Sequence, residues 1–252
     1  VTYKDEVEIA EVHLEPCGVA ASIVPWNFPF SNFIWGVGQS LLAGNTEVFK
    51  CSEETPLFGK VLDECVREAM VPSRVFIQLY GSGDVGAELL KQPVDLITFT
   101  GSSATGKAIY KTAAEKMIPV LMELGGSDPG IMFADANIDK VIQSIFMGRF
   151  WNSGQVCNGL KRLIVHRSKF DEVVAKLAEI IRSKKVGYAE DPTTDIGPLV
   201  AKRQVELLEA QVADARAKGA TFVTGGKRPD GLQGAYYLPT LVTNVTTDMR
   251  IW

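Results

Sequence analysis

The sequence predicts an α/β fold carried by a parallel sheet. Three observations predict it. Short apolar runs of strand length alternate with longer segments of helical spacing through the first half of the chain. The helical segments carry ordinary stop and start signals, such as Pro56 near a first turn and Gly44 at an end. The composition is that of a globular protein: 252 residues, 46% hydrophobic and 22% charged, enough for one or two domains.

The elements follow in order. GVAASIV (18–24) reads as a buried strand and FIWGVGQSLLAG (33–44) as a helix. TEVFK (46–50) is a strand and PLFGKVLDECVREAM (56–70) a helix. VFIQLY (75–80) and DVGAELLK (84–91) repeat the pair, as do DLITFT (95–100) and ATGKAIYKTAAEKM (104–117), before the strand PVLMEL (119–124). This βαβ rhythm implies right-handed crossovers. ELGGSDPG (123–130) breaks it and is a candidate domain boundary, giving domains 1–124 and 125–252. Beyond it come GIMFA, a helix near 138–149, a strand at 162–166 and a helix at 168–185 with Ser168 as N-cap. DPTTDIGP (191–198) is a loop. The segment 200–218 is amphipathic, with Val205, Leu208, Val212 and Ala215 in its stripe, and strands are expected at 221–225 and 236–242.

Several function classes are disfavoured at once. A net charge of −4 offers no attraction to nucleic acid or an anionic membrane, so neither is expected as partner. No apolar run is long enough to cross a bilayer. The four cysteines, at 17, 51, 65 and 157, form no C-x-x-C pair, which argues against a zinc knuckle and suits a reducing, cytoplasmic compartment. Cys17, Cys51 and Cys65 read as small buried hydrophobes. With two histidines, His13 and His166, a multi-His metal site is not expected, and His166 reads as structural.

FTGSSATGK (99–107) approximates a nucleotide-phosphate loop. Such a loop needs Ser or Thr after its Lys to hold Mg²⁺, and here Ala108 stands there, which weighs against nucleotide hydrolysis. The weaker reading survives: Gly101, Ser102 and Ser103 lead into a helix whose first N–H groups suit a pyrophosphate, or simply form a capped turn. The ordinary G-x-G-x-x-G fingerprint is absent from the first strand, so any dinucleotide must use another loop.

Three further stretches could carry chemistry. PWNFP (25–29) puts Asn27 at a strand's C-terminal end, ELGG (123–126) does the same for Glu123, and SGQVCNG (153–159) holds Cys157 in a polar segment. A thiolate attacks carbonyl carbon, a carboxylate can activate water, and a side-chain amide can donate to an oxyanion. Together they permit acyl chemistry without histidine. Taken alone, a Cys is more often a core thiol, a Glu a surface charge and an Asn a turn or cap residue.

At these residues the sequence resembles the aldehyde dehydrogenase superfamily, of the NAD(P)-dependent, non-phosphorylating kind. PWNFP, FKCSEETP, FTGSSATG, MELGG and GQVC appear in the family's order across nearly the whole chain. The resemblance implies a Rossmann-like parallel-sheet cofactor domain followed by part of an α/β catalytic domain. It implies oxidation of an aldehyde to a carboxylic acid. Cys157 would be the nucleophile, passing through a thiohemiacetal and a thioester; Asn27 and the Cys157 N–H would hold the oxyanion, and Glu123 would activate water. The backbone around Ile23 to Trp26 would flank the cofactor. Lys50 and Glu53 would hold the adenosine ribose, Gly101 and Ser102, with Ser103 and Gly106 in the same loop, would meet the pyrophosphate, and Leu124 would approach the nicotinamide. Glu53 would accept from a ribose 2′-hydroxyl and repel a 2′-phosphate, favouring NAD over NADP. Phe28, Phe150 and Trp151 suggest an apolar substrate mouth.

The resemblance also implies a longer protein, roughly double this length, that forms a homodimer or homotetramer. The segment resembling E-E-x-F-G-P, expected beyond DMRIW, is absent here. The stretch is therefore expected to be a piece of a longer chain, with a catalytically inactive remnant that binds a dinucleotide or a partner chain as the alternative. Cys51 and Ile77 depart from the family's usual Pro (or small residue) and Asn.

Overall fold

A computed structural model describes residues 2–5 and 8–252. They divide into two compact units, Val1–Gly125 and Gly126–Trp252.

The first unit opens with an antiparallel pair, β1 (Thr2–Lys4) and the exposed β2 (Ile9–Glu11), which the apolar periodicity did not announce because the strands are only three residues long. The main sheet then follows: β3 (Val19–Ile23), β4 (Thr46–Lys50), β5 (Phe76–Leu79), β6 (Leu96–Gly101) and β7 (Val120–Leu124). Its order is β5-β4-β3-β6-β7 and every pairing is parallel. The predicted parallel sheet is thus present. The order reverses between β3 and β6, and open α/β sheets place ligands beyond the strand ends at such a point.

Between β3 and β4 runs a composite helix: α1 (Pro29–Phe33), a π-turn (Ile34–Gly38) and α2 (Gln39–Leu42). It begins earlier than the expected 33, because Pro29 sets the first helical φ. Three further helices match their expected places, α3 (Pro56–Glu68), α4 (Gly83–Leu89) and α5 (Ser103–Glu115). One sheet face packs Ala21, Ile97 and Phe99 against Leu89 of α4 and Ile109 and Ala113 of α5. The opposite face packs Val24 and Phe49 against Phe33, Val37 and Leu62. Phe33 and Phe49 meet edge-on, with ring centres 5.1 Å apart.

That second face also buries polar groups. Ser22 Oγ donates to Glu47 Oε2 at 2.9 Å and lies 2.7 Å from Thr98 Oγ1. The π-turn passes directly over them, and a Cβ on Gly36 would lie 3.1 Å from Thr98 Oγ1. Burial pushes the Glu47 carboxyl up to about 7, against the lowering effect of the Ser40 and Ser22 hydroxyls.

The second unit begins with β8 (Asp128–Met132), α6 (Ile138–Phe150), a 3₁₀ turn (Trp151–Gly154) and β9 (Leu160–Val165). β8 and β9 pair in parallel, with a register shift at Asp128/Pro129, where proline has no N–H to give the ladder. α7 (Phe170–Arg182) and α8 (Lys202–Ala217) follow, then the antiparallel pair β10 (Thr221–Thr224) and β11 (Leu241–Thr243). Met132, Ile142, Phe146, Val173, Leu177 and Ile181 form the core of this unit.

Three local expectations are corrected. Ser168 does not cap α7: His166 Nδ1 accepts from Ser168 N and caps a short 3₁₀ turn, which supports a structural role for His166. The strand expected at 236–242 is confined to β11, because Tyr236 and Tyr237 are buried in irregular chain around Pro239. Of the three cysteines expected to be buried, Cys51 is, but Cys17 and Cys65 are exposed.

Candidate active site

In the first unit, the strands present the expected ligand-facing residues at their C-terminal ends. Ile23 ends β3, Lys50 ends β4, Gly101 ends β6 and Leu124 ends β7. Trp26 and Asn27 lie in the bend between β3 and α1, both half-buried. Lys50 is 3% exposed, and its Nζ donates to Cys51 O at 3.0 Å and to Glu53 Oε2 at 3.4 Å. This holds the exposed Glu53 carboxylate beside a buried ammonium.

The loop between β6 and α5 is a capped helix start. Ser102 Oγ accepts from Thr105 N at 3.1 Å, and Gly106 N donates to Ser102 O at 2.9 Å. The N–H groups of Ser103 and Ala104 belong to the first turn, where no intrahelical acceptor exists. Ser103 and Lys107 are exposed, whereas Gly106 is buried. A Cβ on Gly106 would lie 2.6 Å from Leu124 Cδ2. Gly106 therefore lets α5 approach β7 closely, and it holds the loop from below.

Glu123 is exposed on β7 and paired in register with Thr100. The β7 side chains alternate, so Val120, Met122 and Leu124 face inward while Leu121 and Glu123 face out.

In the second unit, Cys157 is exposed on the loop between the 3₁₀ turn and β9. The approach to it is sharply bent: Asn152, Ser153 and Gly154 have φ of 49°, 56° and 77°. Consecutive left-handed residues are costly outside glycine, and such strain collects at functional loops. Ser153 Oγ donates to Gly197 O at 3.0 Å and Gln155 Oε1 accepts from Val200 N at 2.9 Å, anchoring the bend. The loop wraps the guanidinium of Arg149. A Cβ on Gly154 would stand 3.1 Å from Arg149 Nη2, and one on Gly159 would stand 3.3 Å from Nη1. Arg149 Nη1 donates to Gly154 O at 3.4 Å, and burial pushes the guanidinium pKa down. Gly126 N donates to Cys157 O at 3.2 Å, and Lys161 Nζ donates to Gly126 O.

Sequence reasoning missed Arg149 and Lys161. The one available signal was the pair of glycines bracketing Cys157, which marks backbone closing around something.

The sequence profile described as the Aldehyde dehydrogenase family matches residues 1–252. Aminoaldehyde dehydrogenase 1, peroxisomal, of Pisum sativum is 40% identical over 241 residues, 94% of this chain and 48% of the relative. The 2-hydroxymuconic semialdehyde dehydrogenase of Pseudomonas sp. (strain CF600) is 42% identical, over 91% of this chain and 49% of the relative. Among solved structures, an NAD+ complex of aldehyde dehydrogenase from Bacillus cereus superposes with a TM-score of 0.90 at 37% identity, over 94% of this chain and 48% of that one. A Mycobacterium tuberculosis aldehyde dehydrogenase complexed with NAD+ superposes with a TM-score of 0.96 at 35% identity, over 100% of this chain and 52% of that one. The chain spans about half the length of the curated relatives it matches. Matched by the family profile from its first residue to its last, the chain belongs to the aldehyde dehydrogenase family.

Proposed function

We propose that the protein containing this chain oxidises an aldehyde to a carboxylic acid with NAD. The observation that carries this reading is the exposed Cys157 thiol, raised on a strained loop in a chain of this family.

Cys157 is assigned as nucleophile: its thiolate forms a bond to the aldehyde carbon, giving a thiohemiacetal. The Asn27 side-chain amide and the Cys157 backbone N–H donate to the oxygen that gains charge in that step. Glu123 draws a proton from water, whose oxygen then attacks the thioester carbon and releases the acid from sulfur. Arg149 and the two flanking glycines hold the loop that presents the sulfur.

The residues present fit a dinucleotide. An uncapped first-turn N–H pair at Ser103 and Ala104 suits a pyrophosphate, and a carboxylate at Glu53 beside buried Lys50 suits ribose hydroxyls. Ile23, Trp26, Lys50, Glu53, Gly101, Ser102, Ser103 and Leu124 would hold it, with Gly106 supporting the loop. The chemistry that a bound NAD supplies is acceptance of hydride. Glu53 disfavours a 2′-phosphate, and Lys50 Nζ is already engaged with Glu53 and Cys51 O, so NAD is preferred over NADP. On this reading 1–124 serves the cofactor and 125–252 carries the nucleophile. The relatives' printed names put amino-substituted and semialdehyde substrates within range.

Iodoacetamide labelling with site-resolved mass spectrometry tests the nucleophile. Cys157 should react at least tenfold faster than the exposed Cys17 and Cys65. Equal rates at the three would remove the assignment. Selective labelling without NADH formation from any aldehyde would favour the inactive-remnant reading.

A further inference from the structure

Lys161 lies four residues beyond Cys157, on β9. Its Nζ donates to the carbonyl of Gly126. The N–H of the same Gly126 donates to the carbonyl of Cys157 at 3.2 Å. One residue, Gly126, is therefore held at its N–H by the nucleophile's own backbone and at its carbonyl by an ammonium. There is no spare room in the grip: a Cβ on Gly126 would fall 3.3 Å from Cys157 O and 2.8 Å from Asp128 Oδ1.

We infer that Lys161 is a positioning residue for Cys157: it clamps Gly126 against the Cys157 carbonyl and places a positive charge beside the thiolate. The inference rests on the assignment of Cys157 as nucleophile. Its charged surroundings are Arg149 from α6, Asp128 from β8 and Cys157 itself. Partial burial, then the neighbouring Arg149, push the Lys161 amino group down from its ordinary value, while Asp128 and Cys157 act the other way. A lysine so placed loses its charge at a lower pH than an ordinary one. Its help to a neighbouring thiolate should fade in the alkaline range.

The test compares Cys157 alkylation by iodoacetamide in the wild-type chain, Lys161→Met and Lys161→Arg at pH 7 and pH 10. Lys161→Met should slow labelling by about threefold at pH 7, the size expected of one partly screened charge. The gap between the two rates should narrow at pH 10. Lys161→Arg should recover most of the pH 7 rate and retain it at pH 10, because guanidinium stays charged. Equal rates for wild type and Lys161→Met at pH 7 would overturn the inference. So would a deficit of the same size at both pH values that Arg does not rescue, which would mean lost packing without an electrostatic part. A thermal melt of each variant separates either result from unfolding. If wild-type Cys157 is itself no faster than Cys17 and Cys65, the nucleophile assignment fails first; selective wild-type labelling that is unaffected by Lys161→Met sinks only the role of Lys161.

Discussion

Glu47 shows how one residue can set a pH dependence. Its side chain is 1% exposed, in a sheet face otherwise packed with aliphatic and aromatic groups. The Ser22 hydroxyl donates to Oε2 and is itself paired with the Thr98 hydroxyl, while Oε1 has no hydrogen-bond partner among the described residues. Burial pushes the folded carboxyl up to about 7, against the ordinary 4.5 of a carboxyl in the unfolded chain. The folded state thus holds a proton that the unfolded chain has already released between those values. The associated stabilisation is complete below about 4.5, declines as pH rises toward 7 and is flat above. The shift corresponds to a loss of about 3 kcal/mol. Urea unfolding at pH 5 and pH 8 should show this fall in the wild-type chain. Glu47→Gln should abolish most of it and be the more stable protein at pH 8.

Two elements bring out a different point: a glycine can be required by φ, by space, or by both. Gly154 needs both, with φ of 77° and Arg149 Nη2 at 3.1 Å from where a Cβ would stand. Gly159 needs only the space, with Nη1 at 3.3 Å. Gly154→Ala should cost about 2 kcal/mol in a chemical melt, and Gly159→Ala about half as much. Both should slow Cys157 labelling, because the guanidinium that supports the loop is displaced. Within the first unit, Gly18 plays a corresponding part just before β3. It has φ of 122°, its N–H donates to Asn45 Oδ1 at 3.0 Å, and Asp95 Oδ2, which accepts from Val19 N at 2.8 Å, occupies the place of a Cβ. Gly18→Ala should destabilise the first unit by about 2 kcal/mol or more, read by thermal denaturation. Periodicity located most of these elements, since α3, α5 and α6 lie close to their expected bounds. It could not find the π-turn or the short β1–β2 pair, because neither leaves a repeating apolar signal.

For the molecule as a whole, apolar surface is the main liability. Phe30, Ile34, Trp35 and Leu42, all on the composite helix, are 57%, 44%, 60% and 91% exposed. Large apolar side chains exposed in this way favour association. The isolated chain should elute above its monomer mass in gel filtration and bind a hydrophobic dye, and Trp35→Lys should reduce both. Elution as a dye-silent monomer would show that this surface is inert. By itself the sequence determined the alternation of strands and helices and the motif residues Asn27, Glu123 and Cys157, because both are written locally, in residue period and in short strings. Only the tertiary structure decided that β3 lies beside β6, that Ser22 meets Thr98 across 76 residues of sequence, and that Arg149 sits inside the Cys157 loop. Pairing and burial depend on groups far apart along the chain, and no local pattern encodes which of them will share the same space.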